Sequence, residues 1–252
     1  MRRINLRLRW KMNVSSGVTI SGGEWPILNG QIINCRLCPR LVEYREKIGI
    51  EKRRAFRDQE YWSRPLTGFG DRNAQLLVIG LAPAAHGGNR TGRIFTGDRS
   101  ADFLVRALWE TGFANQPQST SREDGLQLMD AYMTLPVRCV PPDNKPTPEE
   151  ILTCRPYLLR ELALLKNVKV ILPLGAIAFN AYLSILKEEG LIQSRTAFPF
   201  SHGALFSTHP SGPYVLVSYH PSQQNTSTGR LTAAMLRDIF LKAKSLLSVA
   251  DT

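Results

Sequence analysis

Four apolar runs, separated by stretches of helical periodicity, constrain the fold of this chain more than any other feature. They are residues 75–80 (QLLVIG), a weaker run at 131–138, residues 168–175 (VKVILPLG) and residues 214–219 (YVLVSY). Continuous short apolar runs read as strands covered on both faces, as in a parallel sheet. Between them, Ser100 is placed to cap a helix carrying Phe103, Leu104, Ala107 and Leu108. Pro148-Glu149-Glu150 opens another, with proline in the first turn and acids near the positive helix end, followed by Ile151, Leu158, Leu162 and Leu165. A last helix carries Leu231, Met235, Ile239 and Leu246. This alternation predicts an α/β fold: a three-layer α-β-α open sheet of about four parallel strands with helices on both faces.

The 252 residues suit one sizeable domain, expected over 26–252. Residues 1–25, basic and rich in Ser and Gly, are expected to be loosely ordered. No run reaches the roughly 20 apolar residues of a membrane span, and no apolar segment follows the basic start, so neither a membrane association nor a secretory signal is expected. A cytoplasmic location follows as the expectation. Lys and Arg total 32 against 21 Asp and Glu, a net charge of +11. Such a surplus favours a polyanionic partner.

The four cysteines are Cys35, Cys38, Cys139 and Cys154. Cys35 and Cys38 form a tight pair, but Cys139 and Cys154 do not. Four thiolates serve tetrahedral zinc or an iron–sulfur cluster, and buried unlinked thiols are a further reading. Their dispersion implies a clip that holds the N-terminal segment on the body of the domain.

Three loops follow predicted strands. Residues 80–98 are rich in Gly and Ala and carry Arg90, Arg93, Phe95 and Asp98, without the dinucleotide-binding glycine spacing. Residues 137–146 hold three prolines around Asn144. Residues 220–231 begin at His220-Pro221-Ser222 and include Gln223, Asn225 and Arg230. All three fall at the carboxyl ends of parallel strands, where open α/β sheets bind ligands. One site assembled from three polar loops is therefore expected.

These motifs, in this order over about residues 30–245, resemble the family 5, or type b, uracil-DNA glycosylases. The cysteine spacing is similar to that of families 4 and 5, which implies a 4Fe–4S cluster on Cys35, Cys38, Cys139 and Cys154. The resemblance implies that a flipped uracil stacks on Phe95, that Asn144 reads its polar edge, and that His220 donates toward O2. Gly80, Ala82, Ala84 and Ala85 would line the base pocket. Arg90, Arg93, Ser222, Gln223, Asn225 and Arg230 would contact DNA. Leu81, Ala82, Ala84 and Ala85 offer no polar side chain to hold water, as is usual in family 5. Asp98 is then the available carboxylate for the water or the sugar cation, unless bond cleavage is dissociative enough to need no base. No lysine nucleophile stands in these loops, so the strand would stay intact. The implied partner is uracil-containing duplex DNA, with single strands also open; a sliding clamp is a candidate partner, and a monomer is expected. Small pocket residues leave room for hypoxanthine and other altered bases. The rival readings are a catalytically inactive iron–sulfur nucleic-acid-binding protein of the same fold and a zinc-dependent small-molecule enzyme.

Overall fold

A computed structural model describes residues 23–208 and 212–249. The basic segment 1–22 lies outside the described residues. Helix α1 (Glu24–Ile33) already begins inside the stretch expected to be loosely ordered, and α2 (Pro39–Glu51) follows with proline in its first turn. Strands β1 (Phe69–Gly70) and β2 (Leu76–Ile79) come next. Helices α3 (Gly88–Thr91) and α4 (Arg99–Glu110) and strand β3 (Ala131–Thr134) lead to α5 (Pro148–Leu164). The chain ends with β4 (Val170–Pro173), α6 (Ala176–Glu188), β5 (Leu205–Ser207), β6 (Tyr214–Leu216), α7 (Gln223–Ser227) and α8 (Ala233–Val249).

The sheet order is β1-β3-β2-β4-β6-β5. The four strands read from the apolar runs are its parallel centre, in register Leu76 with Ala131 and Val170, and Val170 with Tyr214. Among the described residues the sheet nevertheless has six strands, because β1 and β5 add antiparallel edges to β3 and β6. Two- and three-residue edges carry too little alternation to be read from sequence.

Both faces of the centre are buried, as the apolar runs demand. Leu76 and Val78 point into one cluster with Leu104, Leu108 and Phe240, so α4 and α8 cover that face. Leu77 and Ile79 point into another with Leu158, Phe179 and Leu183 from α5 and α6. Phe240 is fully buried, and truncating such a ring typically costs about 3–5 kcal/mol.

Two helix starts fix the loops that precede them. At α5, the Thr147 hydroxyl accepts from Glu150 N at 3.3 Å, and the Glu150 carboxylate accepts from Thr147 N at 2.8 Å, a reciprocal capping box. At α4 the cap is Asp98 rather than Ser100: its Oδ1 accepts from Ala101 N at 2.9 Å. Both residue types cap well, and the chain turns two residues earlier than the serine would place it.

Candidate active site

Parallel pairing puts the carboxyl ends of β3, β2, β4 and β6 along one edge of the sheet. The chain runs outward from β2 to β3, then crosses back to β4, so the order reverses between β2 and β4. A crevice at such a reversal is the usual ligand site of an open α/β sheet. There the loop after β2 meets the segment after β3, Val137 N donating to Leu81 O at 3.3 Å, and the turn after β4 meets the end of β6, Gly175 N donating to Ser218 O at 2.8 Å.

Gly80 ends β2, and a Cβ on it would lie 2.7 Å from Phe95 Cζ and from Leu135 Cδ2. Only glycine lets the Phe95 ring come that close. Phe95 itself has φ +46°, a left-handed backbone that costs an aromatic residue about 1–3 kcal/mol. The surrounding loop holds it there. Arg90 donates from Nη2 to Gly97 O at 2.8 Å and from Nε to His86 O at 2.7 Å, with its guanidinium 4.0 Å above the Phe56 ring. Gly97 N donates to Ser119 O at 2.8 Å.

Arg93 is not a DNA contact. It is 6% exposed, donating to Asp124 at 2.7 Å, Ser119 Oγ at 2.8 Å and Thr96 Oγ1 at 2.9 Å. The Arg93 guanidinium in turn helps hold the Asp124 carboxyl down at about 2. Freeing Arg93 for a phosphate would take from the Asp124 carboxylate its ion-pair partner, leaving only backbone donors. The sequence shows only an arginine in a polar loop; its partner lies far along the chain.

His220 follows β6. Its carbonyl accepts from Asn225 Nδ2 at 2.9 Å, and Ser222 Oγ caps α7 by accepting from Asn225 N at 3.4 Å. Asn225 and Ser222 thus shape the turn that presents His220. Gln223 and Arg230 are exposed, Arg230 lying 4.8 Å above the Tyr219 ring. The His202 ring stacks on Tyr219 at 5.0 Å, and its Nδ1 accepts from Tyr219 N at 3.2 Å. Gly175, after β4 with φ +90°, leaves room for His220: a Cβ there would sit 3.0 Å from the histidine Cβ. Among the described residues the His220 ring takes no hydrogen-bond partner. Burial pushes its pKa down to about 4. At neutral pH the ring is uncharged, with one N–H to donate.

Asp98 is half-buried. Its Oδ2 fits only because Gly87 has no side chain, since a Cβ there would collide with it. Burial raises the Asp98 pKa. Asn144 lies in a short 3-10 turn, Pro142–Asn144, exposed, with φ +56° after Asp143 at +54°. Asn tolerates the left-handed region better than most residues, which fits it to that turn. Ala84 and Ala85 sit half-buried in the first loop, and Ala84 O accepts from Asn89 N at 3.1 Å. Ala82 packs the other way, beside Leu41, Val137 and Cys139, so its side chain belongs to the cysteine region.

The cysteines form a second region behind that loop. Cys35 follows α1, Cys38 caps α2, Cys139 lies after β3, and Cys154 is on α5; all four line one cavity with Arg45 and Arg138. None is in a disulfide. Burial raises the thiol of Cys139 to about 11 and of Cys154 to about 12. Arg45 is 2% exposed, and its Nη1 donates to Cys139 Sγ at 3.0 Å and Nη2 to Cys35 O at 3.1 Å, while Nε is left without a partner. Its nearest carboxylate, on Glu46, stands 3.9 Å away and is engaged by Arg36. Arg138 N donates to Cys154 Sγ at 3.3 Å. The Arg138 guanidinium, 1% exposed, meets Glu161, 0% exposed, at 2.5 Å. Arg40 adds a two-pronged bond to Glu150 at 2.7 and 2.8 Å, tying α2 to α5. Sequence reasoning missed Arg45 and Gly175. The available signals were an arginine four residues after Leu41 on the buried face of α2, and a glycine closing a strand.

The profile of the uracil DNA glycosylase superfamily matches residues 67–244. The chain belongs to the uracil-DNA glycosylase superfamily. A type-5 uracil-DNA glycosylase of Mycobacterium leprae is 49% identical over 228 residues, 90% of this chain and 97% of that protein. One of Thermus thermophilus is 50% identical over 212 residues, 84% and 93% of the two chains. One of Pyrobaculum aerophilum is 43% identical over 213 residues, 84% and 89%. This places the chain among the type-5 uracil-DNA glycosylases and agrees with the resemblance read from its loops. The mostly parallel sheet with flanking helices is the fold of that superfamily. Among the described residues no helix is long and apolar enough to cross a membrane.

Proposed function

We propose that this chain excises uracil from DNA by hydrolysis, leaving an abasic site and an unbroken strand. The observation that carries the reading is the neutral, unpartnered His220 at the sheet edge, where Gly80 and Phe95 leave an apolar wall. A base must leave the stack to reach it, at a cost of a few kcal/mol. The Phe95 ring supplies a stacking face. His220 donates its N–H toward uracil O2 as negative charge builds there. A donor of this kind in a dry site is worth about 3–4 kcal/mol. Its depressed pKa suits the role, because the ring needs no change of protonation near neutral pH. Asn144, on its exposed turn, reaches the base edge when the loop closes on substrate. Gln223 and Arg230 contact phosphate. The Asp98 carboxylate orients water or steadies the sugar cation with the oxygen not used to cap α4. Nothing in the site favours a catalytically silent protein. The substrate is duplex DNA bearing uracil, with single strands and hypoxanthine as further candidates. The protein acts as a cytoplasmic monomer, with a sliding clamp as a candidate partner. Incubation with a uracil-containing oligonucleotide followed by alkali tests this reading: a break at the uracil position is expected only after alkali. An intact strand after alkali overturns it.

The four cysteines are the proposed ligands of a 4Fe–4S cluster. Tetrahedral zinc draws four sulfurs to about 2.3 Å from one ion. Among the described residues no three His, Cys, Asp or Glu side chains converge that way. The four thiols line one cavity, a setting in which a multi-atom cluster held by four thiolates fits. The buried Arg45 cation, whose ion-pair carboxylate on Glu46 stands at 3.9 Å and is shared with Arg36, fits a site that carries negative charge. When bound, the cluster supplies a cross-link between α1, α2, the loop after β3 and α5. Iron and sulfide analysis of anaerobically purified protein tests this.

A further inference from the structure

The stretch between α2 and β1 enters the site described above only through Phe56, beneath the Arg90 guanidinium. After α2 the chain makes a short 3-10 turn, Arg54–Phe56, turns again at 57–58, and runs on without regular structure to residue 64. Its Arg53, Arg54, Arg57 and Arg64 are exposed. The stretch is bolted to the first active-site loop. Trp62 N donates to Arg90 O at 3.0 Å, and Ser63 N to Asn89 O at 3.0 Å. Arg90 reaches back to Gln59 Oε1 at 2.6 Å and lies over the Phe56 ring. Tyr61 Oη is 3.1 Å from His86 Nδ1.

Trp62 extends the patch. Arg122, also exposed, lies 4.4 Å from its ring centroid, and Arg64 lies 5.7 Å from it. Gly92 is what lets them meet that loop, since a Cβ there would stand 2.8 Å from Arg122 Cδ and 3.0 Å from the Trp62 ring. Among the described residues no carboxylate comes within ion-pair distance of Arg53, Arg54, Arg57, Arg64 or Arg122, although Asp58 and Glu60 are close in sequence. Four of these exposed arginines lie within twelve residues of chain, and Arg122 joins Arg64 at the Trp62 ring. Two of them are held against an aromatic face rather than an acid, which orders them and keeps their full charge. Arg93, whose Nη1 donates to Arg122 O at 3.4 Å, shows the contrast: its charge is paired with the Asp124 carboxylate at 2.7 Å.

We propose that the strap of residues 53–64, with Arg122, is a phosphate-binding surface that grips the DNA backbone beside the base pocket. It rests on the glycosylase reading, and it adds a contact surface to the one expected after His220. Because the strap is bonded to residues 89 and 90 of the loop that carries Phe95, a backbone held on it is fixed in register with the pocket. Phosphate contacts of this kind position the duplex without reading sequence.

The test is the salt dependence of binding to a duplex carrying a non-cleavable uracil nucleotide. Each phosphate contact removed lowers the slope of log K against log salt by about 1. Arg54→Ala, Arg57→Ala and Arg64→Ala are each expected to lower it by that amount and to raise KM. Lys187→Ala, exposed at the end of α6 away from the strand-end edge, is expected to leave slope and KM unchanged. Wild-type slopes in the three arginine variants, with uracil release intact, overturn the strap. So does an equal loss from Lys187→Ala, which would show only a general effect of charge. A wild-type chain that neither binds nor releases uracil overturns the glycosylase reading instead.

Discussion

The cysteine cavity and the strand-edge crevice share one loop and solve opposite problems. Ala82 packs beside Cys139, while Phe95 of the same loop folds over Gly80. Around the cavity the polar groups are charged and engaged: Arg138 meets Glu161, Arg40 meets Glu150, and Arg45 meets a cysteine sulfur. At the crevice the key group is neutral and unengaged: His220 keeps its carbonyl bonded and its ring free of protein partners among the described residues. A buried charge that loses its partner destabilises the fold. A polar group that folding leaves without a partner is one a ligand can complete. The cavity side thus holds the molecule, the crevice side leaves a group open to a ligand, and each can be broken on its own.

The largest effect on folding is expected from Glu161→Ala. Glu161 accepts from Arg138 at two positions, from the Thr134 hydroxyl, from Tyr132 Oη at 3.4 Å and from Gly68 N at 3.2 Å. Removing it strands a buried guanidinium, at a cost of about 3–5 kcal/mol. Denaturant unfolding measures it. A loss below about 1 kcal/mol would mean that Arg138 finds water or another partner, and the cavity side would be less rigid than the contrast requires.

On the crevice side, His220→Ala is expected to lower kcat by about 10²–10³-fold, the usual result of removing one oxyanion donor. DNA affinity should change far less. Single-turnover release of uracil set against binding to a non-cleavable duplex separates the two. Equal losses in both would make His220 a binding residue only. The same ring has a signature in acid. The unfolded chain takes up its proton below an ordinary imidazole pKa near 6.5, but the folded chain only near 4. The unfolded state binds more protons in between, so this residue makes stability fall as pH drops from about 6.5 to 4. His220→Gln is expected to flatten that part of the stability curve. An unchanged curve would show that the ring is solvated in the folded state.

Arg45 tests whether the two regions communicate. Its side chain reaches Cys139, and its backbone carbonyl accepts from Asn89 Nδ2 at 3.2 Å in the first loop. Residues that orient metal ligands typically change metal retention by about 10–100-fold. If the four cysteines hold the proposed cluster, Arg45→Gln is expected to speed iron loss to a chelator by that factor. Because Asn89 bonds the main chain, uracil release by protein that still holds iron should be little affected. A parallel loss of turnover in iron-loaded protein would join the regions that the comparison keeps apart.

How far the sequence reveals these two regions follows from the range of the interactions. The central strands are legible because Leu76 to Ile79 and Val170 to Pro173 are apolar on both faces, a signal contained within a few residues. The α5 start is legible because Thr147, Pro148 and Glu150 form a local capping pattern. Strands β1 and β5 are too short to show a period. Arg93 reads as a free cation because Asp124 lies far along the chain. The four cysteines are visible at once, but the buried cation among them is not. The three loops of the site are visible as polar strand ends. What fits them together, the missing side chains of Gly80, Gly87 and Gly175, becomes meaningful only when Phe95, Asp98 and His220 occupy the space.

Asp98 stands on the line between holding and acting, and it carries the smallest expected effect on folding. One oxygen caps α4 and the other lies against Gly87, so structure alone accounts for a polar side chain there. A catalytic role needs the charge. Asn and Asp cap helices about equally well, so Asp98→Asn should change stability by only a few tenths of a kcal/mol while removing the carboxylate. If the carboxylate orients water or steadies the sugar cation, turnover falls by about tenfold or more, within the range of positioned acid–base groups. Turnover within twofold of wild type would assign Asp98 to the scaffold. His220 would then be the one polar side chain acting at the bond, and capture of water would need no base.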